Sequence, residues 1–336
     1  MSDNGRDGWR DRTVLVTGIG GFVGGGLAAG LLAQGATVVG VVRDSGGERL
    51  LETLAIGHRV ELVHGSISEP GLVQRAINEY EVDTVFHLAA QAIVGVANRS
   101  PLSTFESNIM GTWRVLEASR QSPTVKRVVV ASSDKAYGSQ RHLPYTEETP
   151  LSGIYPYDAS KVCTDVLARS YAATYHMPVA VTRCANIYGP GDLNWSRLIP
   201  GTIRSALNGS APIIRSDGTP ERDYIYLDDA VDGYLRVAAH LPGVAGEAFN
   251  LGSGRPVSAS ALVGQILLAA GRTELRPRIL GEANGEIDRQ SLASSKATRM
   301  LGWRPSVTLE LGLAATVAWY RRHLKVEHPV LVEALA

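Results

Sequence analysis

The sequence predicts an α/β chain: a doubly wound parallel sheet joined to a smaller, discontinuous second domain. Two observations carry this expectation. Short apolar runs recur through the N-terminal half with helical stretches between them, and a glycine-spaced turn follows the first run. Strands covered on both faces read as continuous apolar runs, and strands alternating with helices call for right-handed parallel crossovers.

The strands are expected at TVLVTG (13–18), TVVGVV (37–42), VELVHG (60–65), DTVFHLAA (83–90), VKRVVVASS (125–133) and PVAVTR (178–183). A long helix should run from Pro156, a favoured first helical position, to Tyr175. From NIYGPGD to residue 225 the pattern is irregular, with Pro, Gly and Asn punctuation. YIYLDDAVDGYLRVAAHL then reads as strand into helix and EAFNLGSG (247–254) as a strand, both returning to the first domain. Helical stretches at 258–271 and 309–323 complete the second domain.

Composition narrows the function. Lys and Arg total 33, as do Asp and Glu, so there is no basic footprint for a nucleic acid. Cys163 and Cys184 give no disulfide framework and no metal spacing, and both read as buried residues. The opening MSDNGRDGWRDR lacks the apolar stretch of a signal peptide. No apolar run reaches membrane-spanning length, so a cytoplasmic location is expected.

Three motifs carry chemistry. In TGIGGFVGGG, Gly18, Gly21 and Gly24 lie between a strand and a helix, where a pyrophosphate can sit on the helix N-terminus of a Rossmann half. After the second strand, Asp44 suits ribose hydroxyls and NAD, while Arg43 suits the extra phosphate of NADP; two solvated charges are the plain alternative. In YPYDASK, Tyr157 and Lys161 are four apart on one helix face, where an ammonium would favour the phenolate and make the tyrosine a base. Ser132 and Ser133 end the fifth strand and would supply a hydroxyl to the substrate oxygen. His87 reads as a structural histidine and Trp303 as packing, while Trp195 is a candidate neighbour of the nucleotide.

TGIGGFVG, HLAAQ (87–91), the serine-ending strand and YPYDASK together resemble the extended short-chain dehydrogenase/reductase family, the sugar-nucleotide epimerases and dehydratases. The resemblance reaches to about Leu324. It implies a catalytic triad of Ser133, Tyr157 and Lys161, and a dinucleotide held by Gly18, Gly21, Phe22, Val23 and Gly24, with Arg43 and Asp44 at the ribose. Ser66 and Ile67 would lie near the adenine, Ser66 standing where the family usually has an acid. Leu88, Ala89, Ala90 and Ser132 would complete that cofactor site beside Tyr157 and Lys161. The dinucleotide-binding domain should comprise 1–186 plus 226–252, and the nucleotide-sugar domain 187–225 plus 253–330.

SSDKAYG (132–138) refines this expectation. An acid followed by lysine resembles the CDP-glucose 4,6-dehydratases of the family, as do the segments 183–205, 213–231 and 295–305. Oxidising carbon 4 of a hexose acidifies the proton on carbon 5, and water must then leave carbon 6. That chemistry asks for a base, assigned to Lys135, and an acid, assigned to Asp134. The alternative is a UDP-sugar 4-epimerase in which Asp134 and Lys135 form an ion pair; a non-catalytic nucleotide sensor is a further one. For the substrate site the resemblance implies Asn186, Arg197, Arg222 and Arg289, arginine forks suiting a diphosphate, with Asn108 counted among them as support from the adjoining helix. Ala293 and Ser291 depart from the dehydratase pattern, which leaves the nucleotide base open. No metal is expected, and a homodimer through the tyrosine-bearing helix and its neighbour is.

Overall fold

The computed structural model describes residues 8–282 and 287–325, so the expected domain limits at residues 1 and 330 lie outside the described residues. Strands β1 (Thr13–Thr17), β2 (Thr37–Val42), β3 (Val60–His64), β4 (Thr84–His87), β5 (Arg127–Ala131) and β6 (Val179–Cys184) join a further strand, Ala248–Leu251. They form one seven-stranded sheet in the order Ala248–Leu251, β6, β5, β4, β1, β2, β3. Every neighbouring pair in it is parallel. The winding reverses between β1 and β4, which opens a crevice at their carboxyl ends, where such sheets take ligands.

Both faces of the sheet are covered, as the unbroken apolar runs require. On β5, Val129 enters one apolar cluster, while Val128 and Val130 enter another. The first cluster holds Leu27 and Leu31 of α1 (Phe22–Ala33) with Tyr234 and Val237 of the helix Leu227–His240. The second holds Val115 and Leu116 of the helix Gly111–Gln121 with Ala168 of the helix Pro156–Tyr175. A third cluster, with Ile203, Ile214, Leu262, Ile266 and Val317, lies among the helices Leu198–Leu207, Ala259–Ala269 and Leu309–His323.

Local expectations change in four places. The fourth and fifth strands stop at His87 and Ala131, earlier than the apolar runs do; Leu88 and Ser132 each add one last backbone bond, to the Thr17 and Thr182 carbonyls, and Ala89, Ala90 and Ser133 continue past the strand ends. The helix Leu198–Leu207 occupies a stretch read as irregular; its Pro200 and Gly201 fall in the first turn, where proline is tolerated. The strand Tyr224–Tyr226 pairs with Asn186–Tyr188 outside the main sheet. Cys184 is buried but Cys163 only half so.

Arg183, on β6, is fully buried and forms a two-pronged pair with Asp165 at 2.7 and 2.9 Å. It also donates to Tyr137 Oη at 2.8 Å and to the Glu147 carbonyl at 3.1 Å. Removing one partner of such a buried pair costs about 3–5 kcal/mol. Here the pair ties the end of β6 to the helix Pro156–Tyr175, and the bond to Tyr137 ties it to the turn after β5 that carries Asp134 and Lys135.

Candidate active site

The cofactor side is built from the turn after β1. Gly18 adopts φ 74°, and a Cβ there would come within 2.8 Å of the Ala89 backbone. A Cβ on Gly24 would overlap the Gly18 carbonyl oxygen. Gly21 caps α1 without a side chain, leaving the first-turn amides of Phe22, Val23 and Gly24 for an acceptor from outside. Thr17 Oγ1 accepts from the amides of Leu88 and Ala89 at 3.2 Å each, which binds the rims of β1 and β4 together beside half-buried Ala90. Past β2, Arg43 and Asp44 pair with each other at 2.9 Å, both exposed. Ser66 donates its amide to Glu69 Oε1, and Ile67 is buried against Gly111.

The opposite wall comes from the turn after β5. Ser133 Oγ accepts from the Lys135 amide, capping the short turn Asp134–Tyr137, and donates to Asp134 Oδ1 at 3.1 Å. Ser152 and Gly153 both donate to the Ala136 carbonyl, which presses this turn against the chain entering the helix Pro156–Tyr175. Tyr157, Asp158 and Lys161 are thereby brought to Ser133, Asp134 and Lys135. Tyr157 hydrogen-bonds Ser133, while Asp158 and Asp134 both feel the Lys135 charge.

The electrostatics of this wall are dominated by burial. Asp134 is only 3% exposed, and burial pushes its carboxyl up, opposed by Lys135 and by the Ser133 hydrogen bond. Burial also pushes Asp158 up to about 6. Lys161 is pushed down to about 8, its Nζ donating to the Ala131 carbonyl at 2.7 Å. Tyr157 is pushed up to about 12 by burial, with the Ser133 hydrogen bond working the other way. Lys161, expected to draw the phenol towards phenolate, is itself desolvated, and its amine is turned to a backbone carbonyl. Ser132 Oγ donates to the Lys161 carbonyl and fixes the helix rather than facing the crevice.

His87 is buried, its two ring nitrogens 2.8 Å from Thr17 Oγ1 and 3.0 Å from Thr112 Oγ1. Burial and the Lys161 charge push it down to about 3, so it is neutral and structural. Asn108 is 1% exposed; its amide accepts from the Gln91 amide and donates to the Gln91 carbonyl and Ser160 Oγ. It reaches the crevice through those neighbours.

Among the arginines, Arg197 reaches Tyr157 by its charge and pairs with Asp192 at 3.0 Å. Arg222 reaches Asp134 by its charge and donates to the Glu221 carbonyl at 2.9 Å. Arg289 is turned to the surface and pairs with Glu221 at 2.7 Å. Asn186 donates its amide Nδ2 to the Asp223 carbonyl. Buried Asp223 accepts from Ser253, Gly254 and Leu292, and so holds the segment 288–293 beside the turn. That segment brings in a residue sequence reasoning missed: Gln290, whose Oε1 accepts from Lys135 Nζ at 2.5 Å. No local signal could have found it: Asp288 and Arg289 are both exposed and Gln290, Ser291 and Leu292 all buried, so the stretch does not alternate. No group of three metal-ligating side chains occurs among the described residues.

Residues 14–252 match the model of the NAD dependent epimerase/dehydratase family. The chain belongs to this family. As a family member it is similar to a dTDP-glucose 4,6-dehydratase of Streptomyces griseus, 33% identical over 95% of this chain and 97% of the relative. It is equally similar to a UDP-glucose 4-epimerase of Mycolicibacterium smegmatis, 33% identical over 91% of this chain and 98% of the relative. Among solved structures, a double mutant of the dTDP-glucose 4,6-dehydratase of Streptomyces venezuelae with NAD bound superposes with a TM-score of 0.86. It is 33% identical and covers 93% of this chain and 98% of its own. The cofactor of this enzyme is NAD, and the residues present fit it: a tight glycine turn, uncapped amides at the start of α1 and an exposed acid past β2. No helix among the described residues is long and apolar enough to cross a membrane.

Proposed function

We propose that this enzyme is an NDP-hexose 4,6-dehydratase, with CDP-glucose as its favoured substrate, forming a 4-keto-6-deoxy sugar. The observation that carries this reading is the buried Asp134, raised by desolvation and flanked by Lys135, on the turn that faces Tyr157. A carboxyl that burial makes hold its proton more tightly is a candidate proton donor, and a lysine beside it is a candidate base. The Asp-Lys sequence and the segments 183–205 and 213–231 are what favour the cytidine nucleotide.

In this reading Tyr157 accepts the proton of the carbon 4 hydroxyl, oriented by Ser133. NAD, when bound, would supply a reversible store for one hydride between carbon 4 and carbon 6. Gly18, Gly21 and Gly24, with Phe22 and Val23, would hold its pyrophosphate, and Asp44 its ribose. Lys135 takes the carbon 5 proton, whose electron pair forms a double bond to carbon 6, and the carbon 6 hydroxyl leaves as water with the Asp134 proton. As hydride reaches carbon 6, Lys135 returns the proton to carbon 5, and the proton taken up by Tyr157 passes through solvent to restore Asp134. Arg197 and Arg222 would hold the diphosphate, with Asn186 beside them; Arg289 would join them by exchanging Glu221 for a phosphate oxygen. The domains would divide at 1–186 plus 226–252 and 187–225 plus 253–330.

Incubation with CDP-, UDP-, dTDP- and GDP-glucose tests the assignment. A 4-keto product, read by its absorbance in alkali and formed fastest from CDP-glucose, is expected. The resemblance to the UDP-glucose 4-epimerase favours one other reading, inversion at carbon 4 of a UDP-sugar. Release of the inverted sugar with no 4-keto product would establish that reading instead.

The enzyme is further proposed to be a cytoplasmic homodimer. Trp113, Val166 and Tyr175 are large apolar side chains exposed on the helices Gly111–Gln121 and Pro156–Tyr175. Sedimentation should give twice the chain mass, and Val166→Glu should shift it to the monomer. A wild-type monomer would overturn this assignment.

A further inference from the structure

Gln290 is fully buried, and its carboxamide is used on one side only. Oε1 accepts from Lys135 Nζ at 2.5 Å, whereas Nε2 is buried with no hydrogen-bond partner among the described residues. An amide kept for packing has both halves engaged, because an unsatisfied buried donor is costly. The backbone around it is fastened on every side. Gln290 donates its amide to the Glu221 carbonyl at 3.0 Å, Tyr145 donates to the Ser291 carbonyl at 2.8 Å, and Leu292 donates to Asp223 Oδ2 at 3.2 Å. The side chain is therefore delivered to the amine by a rigid segment.

The chemical setting explains why a neutral acceptor belongs there. Lysine carries a compact charge on a flexible four-carbon stem. Asp134 on the same turn and Asp158 on the helix Pro156–Tyr175 both feel the Lys135 charge. Around Asp134 stand Asp223, Arg222, Tyr145 and Tyr157. A carboxylate in place of Gln290 would add negative charge and fix Lys135 as ammonium, useless as a base. An amide oxygen directs one N–H of the amine and adds no charge.

We infer that Gln290 is a positioning residue for Lys135, anchoring its amine through a neutral oxygen so that the lysine can take up the carbon 5 proton. This rests on the dehydratase reading above. The test uses the full-length NAD-bound enzyme with whichever nucleotide-glucose the wild type dehydrates, and compares Gln290→Glu with Gln290→Met.

In Gln290→Met, kcat for the 4-keto-6-deoxy product should fall by about tenfold to a hundredfold with KM little changed. The near-ultraviolet absorbance of reduced nicotinamide should still rise, because oxidation at carbon 4 does not use Lys135. In Gln290→Glu, the ascending limb of the kcat–pH profile should move up by about one unit or more, as a new carboxylate holds the ammonium. An unmoved limb in Gln290→Glu, or oxidation and elimination falling together in Gln290→Met, would overturn the inference as a merely structural role. A wild type that yields an inverted sugar and no 4-keto product sinks the dehydratase reading first, and this inference with it.

Discussion

Tyr157→Phe is expected to lower kcat by about a hundredfold to ten-thousandfold, the range that a positioned general base contributes. The loss should appear at the earliest step: no reduced nicotinamide should accumulate when the nucleotide-sugar is mixed with enzyme. In the proposed reading the phenol takes the carbon 4 hydroxyl proton; Ser133 is hydrogen-bonded to it. Because burial pushes that phenol up to about 12, the phenolate fraction grows as pH rises through the accessible range. The rate of carbon 4 oxidation in the wild type should therefore climb with pH. Ser133→Ala removes a contact that favours the phenolate, and should shift the same climb to higher pH. A Tyr157→Phe enzyme that still reduces its cofactor at the wild-type rate would show that some other group takes this proton.

How much of this was legible beforehand divides along a physical line. Six of the seven sheet strands and the helix Pro156–Tyr175 follow from periodicity and punctuation, because a sheet covered on both faces demands unbroken apolar centres such as Val14–Val16 of β1 and Val128–Val130 of β5. The seventh strand and the helix Leu227–His240 were also readable, from the apolar run around Phe249 and the strand-to-helix switch at Leu227. The helix Leu198–Leu207 was hidden by Pro200 and Gly201, which punctuate loops far more often than first turns. The site was legible where one local segment holds it, as in Ser133, Asp134 and Lys135 or Tyr157 and Lys161. It was not legible where a distant segment completes it. Nothing in EIDRQS shows that Asp223 and Tyr145 clamp this stretch and drive Gln290 onto Lys135. The electrostatics were likewise beyond spacing alone: four residues on a helix put Lys161 beside Tyr157, but only the enclosure shows the lysine losing its proton more easily.

Lys135→Ala should separate the two halves of the reaction. With carbon 4 oxidised through Tyr157 as proposed, reduced nicotinamide should appear, yet the carbon 5 proton would have no acceptor and the 4-keto-6-deoxy product should fall by about a hundredfold to ten-thousandfold. Asp134→Asn should produce the same stall for the opposite reason. The amide keeps the size of the buried carboxyl and its place beside Ser133, but has no acidic proton for the departing hydroxyl. The sign of the pH effect follows from the environment. Burial raises the Asp134 carboxyl, so it remains protonated to a higher pH than an exposed aspartic acid does. As pH rises through that elevated value the donor is lost and elimination should slow, giving a descending limb that Asp134→Asn removes. Carbon 5 exchange separates the two variants: in deuterated water Asp134→Asn should wash deuterium into carbon 5 of recovered substrate, because Lys135 still moves that proton, whereas Lys135→Ala should not. If both variants instead lose cofactor reduction and elimination in equal measure, Asp134 and Lys135 shape the pocket without transferring protons, and inversion at carbon 4 becomes the better account of this active site.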